Sequence, residues 1–132
     1  IQLRLACDKI MKSKNSFAET GSAEITQAYN LPSDYIIHTV GPIINSNLTQ
    51  NDCLLLKLCY QSCLNAAEEN NLKSIAFCCI STGEYHFPNQ KAAEIAIDTV
   101  TEFIKSSNIE RVIFNVFKDK DYEIYRKLLQ TN

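Results

Sequence analysis

Hydrophobic positions along the chain change period several times, and each change marks an element. From Gln50 to about Asn70 they recur at helical spacing, which predicts a helix with Leu54, Leu55, Leu58, Cys59 and Leu64 on its covering face. Thr49 followed three residues later by Asp52 is a capping-box pattern at its start. Ala92, Ala93, Ala96, Val100 and Phe103 repeat in the same way, with Asn89 as the predicted cap of that helix. Leu3, Leu5, Ala6, Ile10 and Met11 suit an earlier helix, followed by a polar connection from Lys12 to Thr20, and Asp119 caps a last one.

Short runs of another kind lie between these stretches. Tyr35 to Val40 is rich in β-branched residues and halts at Gly41-Pro42, Ser74 to Ile80 is apolar after its first residue, and Arg111 to Phe117 reads as a further buried strand. Glu24 to Ala28 is a short edge strand, set beside Tyr35–Val40 by the turn residues Asn30-Leu31-Pro32-Ser33. Buried strands separated by helices need crossover connections, which place a mostly parallel sheet between helical layers. The expected fold is α/β in three layers, one domain over residues 1–132, without repeats or long linkers.

Composition narrows the function without choosing it. A chain of 132 residues with 45% hydrophobic content builds one domain with a real core and is too short for two. A formal net charge of -2 and a pI near 5.7 leave no basic footprint for a phosphate backbone, so no nucleic-acid partner is expected. No apolar run reaches the roughly 18 residues of a membrane span, and no basic-then-apolar secretory pattern opens the chain. A cytoplasmic protein without a membrane partner is therefore expected. The six cysteines fall inside periodic elements and read as reduced core thiols; Cys78 and Cys79, adjacent in a strand, face opposite sides. Cys59 and Cys63 share a helical face, but no His or third Cys accompanies them at ligand spacing, so no metal is assigned to them.

The candidate chemistry lies in Ser81-Thr82-Gly83-Glu84-Tyr85-His86-Phe87-Pro88, where the apolar run ends and the next helix begins. A loop leaving the carboxyl end of a buried strand can offer free backbone N–H groups to an anion, and ligands of open α/β sheets sit there. Gly83 permits positive φ or close approach, and Tyr85 with Phe87 adds aromatic surface. The other reading is an ordinary strand-to-helix turn with incidental aromatics. His38, inside an apolar strand, reads as a structural histidine, and Glu84 is expected to face solvent, because a carboxylate would repel a bound anion.

Three longer words carry a family likeness. Thr20-Gly21-Ser22-Ala23-Glu24-Ile25-Thr26-Gln27-Ala28-Tyr29-Asn30-Leu31-Pro32, then Tyr35-Ile36-Ile37-His38-Thr39-Val40-Gly41-Pro42, then Ser74-Ile75-Ala76-Phe77 through Ser81-Thr82-Gly83, resemble in order and spacing the macrodomain family of ADP-ribose binders and hydrolases. The likeness runs from about Leu3 to Leu129. Phe77 to Glu84 and Asn115-Val116-Phe117-Lys118 look most like the zinc-dependent branch that removes ADP-ribose from modified proteins. The resemblance implies a three-layer sandwich with helices on both faces of a mostly parallel sheet. It implies that Ser81, Thr82, Gly83, Glu84, Tyr85 and His86 hold the pyrophosphate and distal ribose, with Tyr85 as the covering aromatic. Asn115 and Phe117 would meet the adenosine end, although a strand-end aromatic such as Phe117 also serves as plain core.

Macrodomains open with strands and an Asn-Ala-Ala-Asn loop rich in glycine, whereas Gly21, Gly41 and Gly83 are the three glycines of this sequence. The resemblance therefore implies an N-terminally truncated macrodomain, without the loop that supplies zinc ligands and orients the scissile ribose. Catalytic residues cannot be carried over, and zinc belongs to a full-length parent, not to this chain. In the family that strand lies between two that this chain retains, so a slot has to be filled by an unseen amino-terminal segment, by a second copy, or by the retained strands pairing anew. The expected function is ADP-ribose or ADP-ribosylated-protein recognition. The alternative is a non-catalytic remnant or interaction module without a competent pocket, and a nucleotide-phosphate hydrolase would need a base that no residue supplies.

Overall fold

The computed structural model describes residues 19–28 and 33–131. The predicted helix at Leu3–Met11 and the turn residues Asn30 to Pro32 lie outside the described residues. The elements are β1 (Ala23–Gln27), β2 (Tyr35–Thr39), α1 (Gln50–Glu69), β3 (Ser74–Phe77), a 3-10 turn at Gly83–Tyr85, α2 (Asn89–Ile104), β4 (Arg111–Phe114) and α3 (Asp119–Thr131).

Helix α1 begins as its sequence dictates. The Asp52 amide donates to Thr49 Oγ1 at 3.1 Å and the Thr49 amide to Asp52 Oδ2 at 3.0 Å, so both halves of the capping box form. Its buried residues are Leu56, Cys59, Tyr60, Cys63, Leu64 and Ala67. The apolar face is thus rotated from the predicted one: Leu54 and Leu58 are 56% and 43% exposed. This helix carries apolar residues on two sides, and spacing alone does not say which side meets the sheet. Leu58 instead lies under Gly21, where a Cβ would come within 2.7 Å of its Cδ2.

Helix α2 buries Ala92, Ala93, Ala96, Ile97, Thr99 and Val100, close to the predicted set. Asn89 is its first residue and not its cap. Pro88 holds the cap position without a side-chain bond, and Asn89 Nδ2 donates to the buried Asp121 Oδ1 of α3 at 2.5 Å. The small residues of α2 let helices pack closely, and α2 touches both α1 and α3.

The strands form two separate ladders. β1 and β2 are neighbours, as expected, and pair antiparallel with Ala23 opposite Thr39, while β3 and β4 pair parallel with Ser74 opposite Arg111. Both later strands are shorter than predicted, ending at Phe77 and Phe114 rather than Ile80 and Phe117. No described strand bridges β2 and β3, so the retained strands have not paired anew across the expected slot.

A row of rings ties helices to β3 and β4. Tyr60 of α1 lies 4.9 Å from Phe77, Phe77 lies 6.2 Å from Phe114, and Phe114 lies 5.1 Å from Tyr125 of α3. Phe77 and Phe114 are register partners and share one face, so α1 and α3 cover the same side. Ala76 and Ile113, of opposite alternation, are exposed. A second helical layer is not present among the described residues. Among them, too, no helix is long and apolar enough to cross a membrane.

Thr49→Ala removes one acceptor of the capping box and exposes the box to fraying. It is expected to cost about 1 kcal/mol and to lower the thermal midpoint by roughly 2–5 °C, read by circular dichroism.

Candidate ligand site

The chain leaving β2 and the chain leaving β3 face each other across a cavity of about 560 Å3. Thr39, Val40 and Gly41 wall one side; Cys79, Ser81, Thr82 and Tyr85 wall the other. Gly41 is required by close approach, because a Cβ there would lie 2.0 Å from Ser81 Oγ.

The loop that follows Ile80 is folded tightly on itself. Ser81 and His86 adopt left-handed backbone at φ 64° and 63°, and Gly83 sits at φ 81°. Such geometry costs a non-glycine residue about 1–2 kcal/mol, and neighbouring contacts have to over-determine it. They do: the Phe87 amide donates to Ser81 O at 2.9 Å, His86 to Gly83 O at 3.0 Å, and Ile44 to Tyr85 O at 2.9 Å. Phe87, only 1% exposed, anchors the loop in the core. Among the described residues the amides of Ser81 and Thr82, at the cavity wall, donate to no acceptor, and the buried Ser81 Oγ has no partner; the Gly83 amide also donates to none but is exposed. The structure thus holds polar groups at a cavity wall without satisfying them internally, which is the condition for an external anion or hydroxyl to do so.

The predicted loop residues divide. Ser81, Thr82 and Tyr85 line the cavity together, whereas Gly83 and His86 are exposed and are not part of its wall. The backbone of Glu84 belongs to the 3-10 turn. Asn115 directly follows β4, where its amide donates to Phe77 O at 2.7 Å. Phe117 is 89% exposed, neither core nor part of the cavity wall. Sequence reasoning missed Thr39, Val40 and Gly41 as site residues; the signal was Gly41-Pro42 stopping a strand whose carboxyl end faces the loop.

His38 also borders the cavity, with Nε2 2.9 Å from Thr26 Oγ1. Burial holds its pKa below the ordinary 6.5, so the neutral ring is favoured. The stability linked to that neutral ring is complete above pH 6.5 and is lost as pH falls through the lowered value. Burial likewise raises the thiols of Cys59, Cys79 and Cys63, the last to about 12. Cys53, Cys59, Cys63, Cys78 and Cys79 are all free. Among the described residues no group of three or more His, Cys, Asp or Glu is placed to hold a metal ion.

Comparison with known proteins gives this geometry a setting. The Macro domain family model matches residues 1–96. A protein-ADP-ribose hydrolase of Treponema medium is 53% identical over 130 residues, covering 98% of this chain and 50% of that protein. The ADP-ribose glycohydrolase MACROD2 of Xenopus laevis is 50% identical over 113 residues, 84% of this chain and 27% of that protein. The chain thus spans about half the length of the first of these relatives, and less of the second. A solved Oceanobacillus iheyensis macrodomain with ADP superposes with a TM-score of 0.91 at 36% identity, covering 99% of this chain and 70% of that one. A Trypanosoma brucei macrodomain in complex with ADP-ribose gives 0.78 at 34% identity, covering 86% and 47%.

Thiol accessibility checks the placement of the loop. Burial raises the Cys63 thiol pKa to about 12 and covers the sulfur, so little thiolate forms there, while Cys78 is exposed at the cavity edge. Brief iodoacetamide treatment followed by peptide mass spectrometry is expected to modify Cys78 first and Cys59 and Cys63 last. Labelling of Cys63 at a rate equal to that of Cys78 would contradict the packing of α1.

Proposed function

We infer that this chain, which belongs to the Macro domain family, recognises ADP-ribose in the cavity between the carboxyl ends of β2 and β3. One observation carries the reading: at the wall of a cavity of about 560 Å3 the amides of Ser81 and Thr82 donate to no acceptor among the described residues, and the buried Ser81 hydroxyl beside them has no partner there either. Neutral amides in fixed directions suit a doubly charged pyrophosphate, since they stabilise the anion without needing a counter-cation or reorganising on binding. The Tyr85 ring, at the same wall, supplies a face for a ribose. The volume lies within the range of small-ligand sites.

Removal of ADP-ribose from proteins is the activity in the names of relatives about twice this length. For the 132-residue chain the reading is binding, with Ser81, Thr82 and Tyr85 as direct contacts and Gly83 as the residue whose backbone allows the turn. Asn115 and Phe117 are proposed for the adenosine end, which needs the exposed Phe117 ring to fold over a bound base. A second reading, an interaction module without a competent pocket, is favoured by the open strand edges that leave the cavity incomplete on its sheet side.

Calorimetric titration with ADP-ribose separates the two. Saturable binding by the native chain, weakened at least about tenfold in Gly83→Glu and in Ser81→Ala with the circular-dichroism spectrum unchanged, is the expected result. A Glu at position 83 brings a carboxylate toward the bound anion as well as straining a φ of 81°. Absence of heat at millimolar ligand would leave the interaction module standing.

A further inference from the structure

Asp121 is a buried carboxylate, 6% exposed, and lies outside the wall of the candidate ligand cavity. It stands in the first turn of α3, and among the described residues no cation pairs with it. Its partner is Asn89, whose Nδ2 donates to Oδ1 at 2.5 Å. A hydrogen bond to an ionised acceptor is short and directional. Leaving a buried carboxylate without its donor is costly, so the pair fixes the two residues relative to each other.

Asn89 is the first residue of α2 and follows the Ser81–Pro88 loop directly. An asparagine at a helix start commonly bonds its own helix, yet the cap position belongs to Pro88 and carries no side-chain bond. The Asn89 side chain therefore serves the exit of the loop. The same carboxylate lies close to the loop's entrance. Burial first, and then the charge of Asp121, raises the Cys79 thiol, and Thr82 Oγ1 donates to Cys79 O at 3.5 Å. Tyr125, buried one turn further along α3 with its ring 5.1 Å from Phe114, is raised by burial, by Cys79 and by Asp121. Entrance and exit of the loop thus meet over the first turns of α3.

Between these two ends lie the left-handed Ser81 and His86, and the bonds from Phe87 N to Ser81 O and from His86 N to Gly83 O that hold them. Backbone strain persists only where the surroundings over-determine it. Freeing the exit at Asn89 removes one of those restraints, and the directions of the Ser81 and Thr82 amides change with it.

We propose that Asp121 is a positioning residue for the candidate ligand site: through Asn89 it holds the Ser81–Pro88 loop in the backbone conformation that keeps the Ser81 and Thr82 amides at the cavity wall. This role rests on the reading of that cavity as an ADP-ribose site. Asp121 does not touch the ligand, so it sets the fraction of molecules whose loop is ready to bind. Apparent affinity falls in proportion to that fraction, and a loop ready in about one molecule in ten binds about tenfold more weakly. Such a loss appears in the association rate, whereas removal of a direct contact appears mainly in dissociation.

The test moves the charge across the pair. Asn89→Asp sets two carboxylates against each other, although an Asp in the first turn suits the dipole of α2. Asp121→Asn keeps an acceptor for Asn89, and the double variant Asn89→Asp/Asp121→Asn rebuilds the pair in reverse. Amide hydrogen exchange at His86 and Phe87 without ligand, and ADP-ribose binding by surface plasmon resonance, are measured on each. Asn89→Asp is expected to speed exchange at both amides and to weaken binding, each by about tenfold or more and the latter through association. The double variant is expected to return both to within about threefold of the native chain. Asn89→Ser, too short to reach Asp121, makes the same lesion without added charge should Asn89→Asp fail to fold. Thr49→Ala, destabilised at the far end of α1, is expected to move neither readout. The proposal is overturned if exchange at His86 and Phe87 is unchanged in a folded Asn89→Asp or Asn89→Ser chain, or if the double variant is no better than Asn89→Asp. A native chain that binds no ADP-ribose while exchange follows the series overturns the ligand reading alone and upholds Asp121 as the residue that sets the loop.

Discussion

Helix α1 is the element on which the rest leans, because it packs against β1, β2, β3 and α2 at once. Among the described residues no strand joins the two ladders, and side chains of this one helix contact both. Cys59 donates from Sγ to Val40 O at 3.3 Å, Ser62 Oγ to Gly21 O at 2.7 Å, and the Tyr60 ring packs tilted against Phe77. Dispersion and apolar burial through α1 thereby tie the two described ladders together. The distance across the candidate ligand cavity follows from how α1 is packed.

The cavity exists because two strand ends stop at the same level and their continuations diverge. On one side Gly41 lets the chain pass close to Ser81; on the other, the left-handed Ser81 and His86 turn the loop back until Phe87 is buried. Burying Phe87 and closing three main-chain bonds offsets the strain of those two residues, while the amides of 81 to 83 donate to no acceptor among the described residues. A binding surface made from backbone groups is insensitive to side-chain identity, which is why serine, threonine and glycine suffice there. It depends instead on φ and ψ, and these are held by residues such as Gly41 and Phe87 that need not touch a ligand.

Much of the architecture is legible in the order of residues. The 20-residue helix α1 with its Thr49–Asp52 box, the alanine-lined α2, the antiparallel partnership of β1 with β2 and the loop from Ser81 follow from periodicity, capping chemistry and strand-ending glycine, all local properties. The family likeness resides in those same words, and the Macro domain match agrees with it.

Tertiary packing alone decided the remainder. Which apolar stripe of α1 turns inward, leaving Leu54 and Leu58 outside, depends on the surface it meets, and periodicity is blind to that. Asn89 gives its side chain to Asp121 instead of to its own helix, a choice made by a residue 32 positions away. Phe117 stands in solvent because β4 loses its partner after Phe114. The sequence by itself determined the elements and the loop, since those energies arise within a few residues. Only the assembled structure determined how the ladders face each other, since that depends on helices packed between residues far apart in the chain.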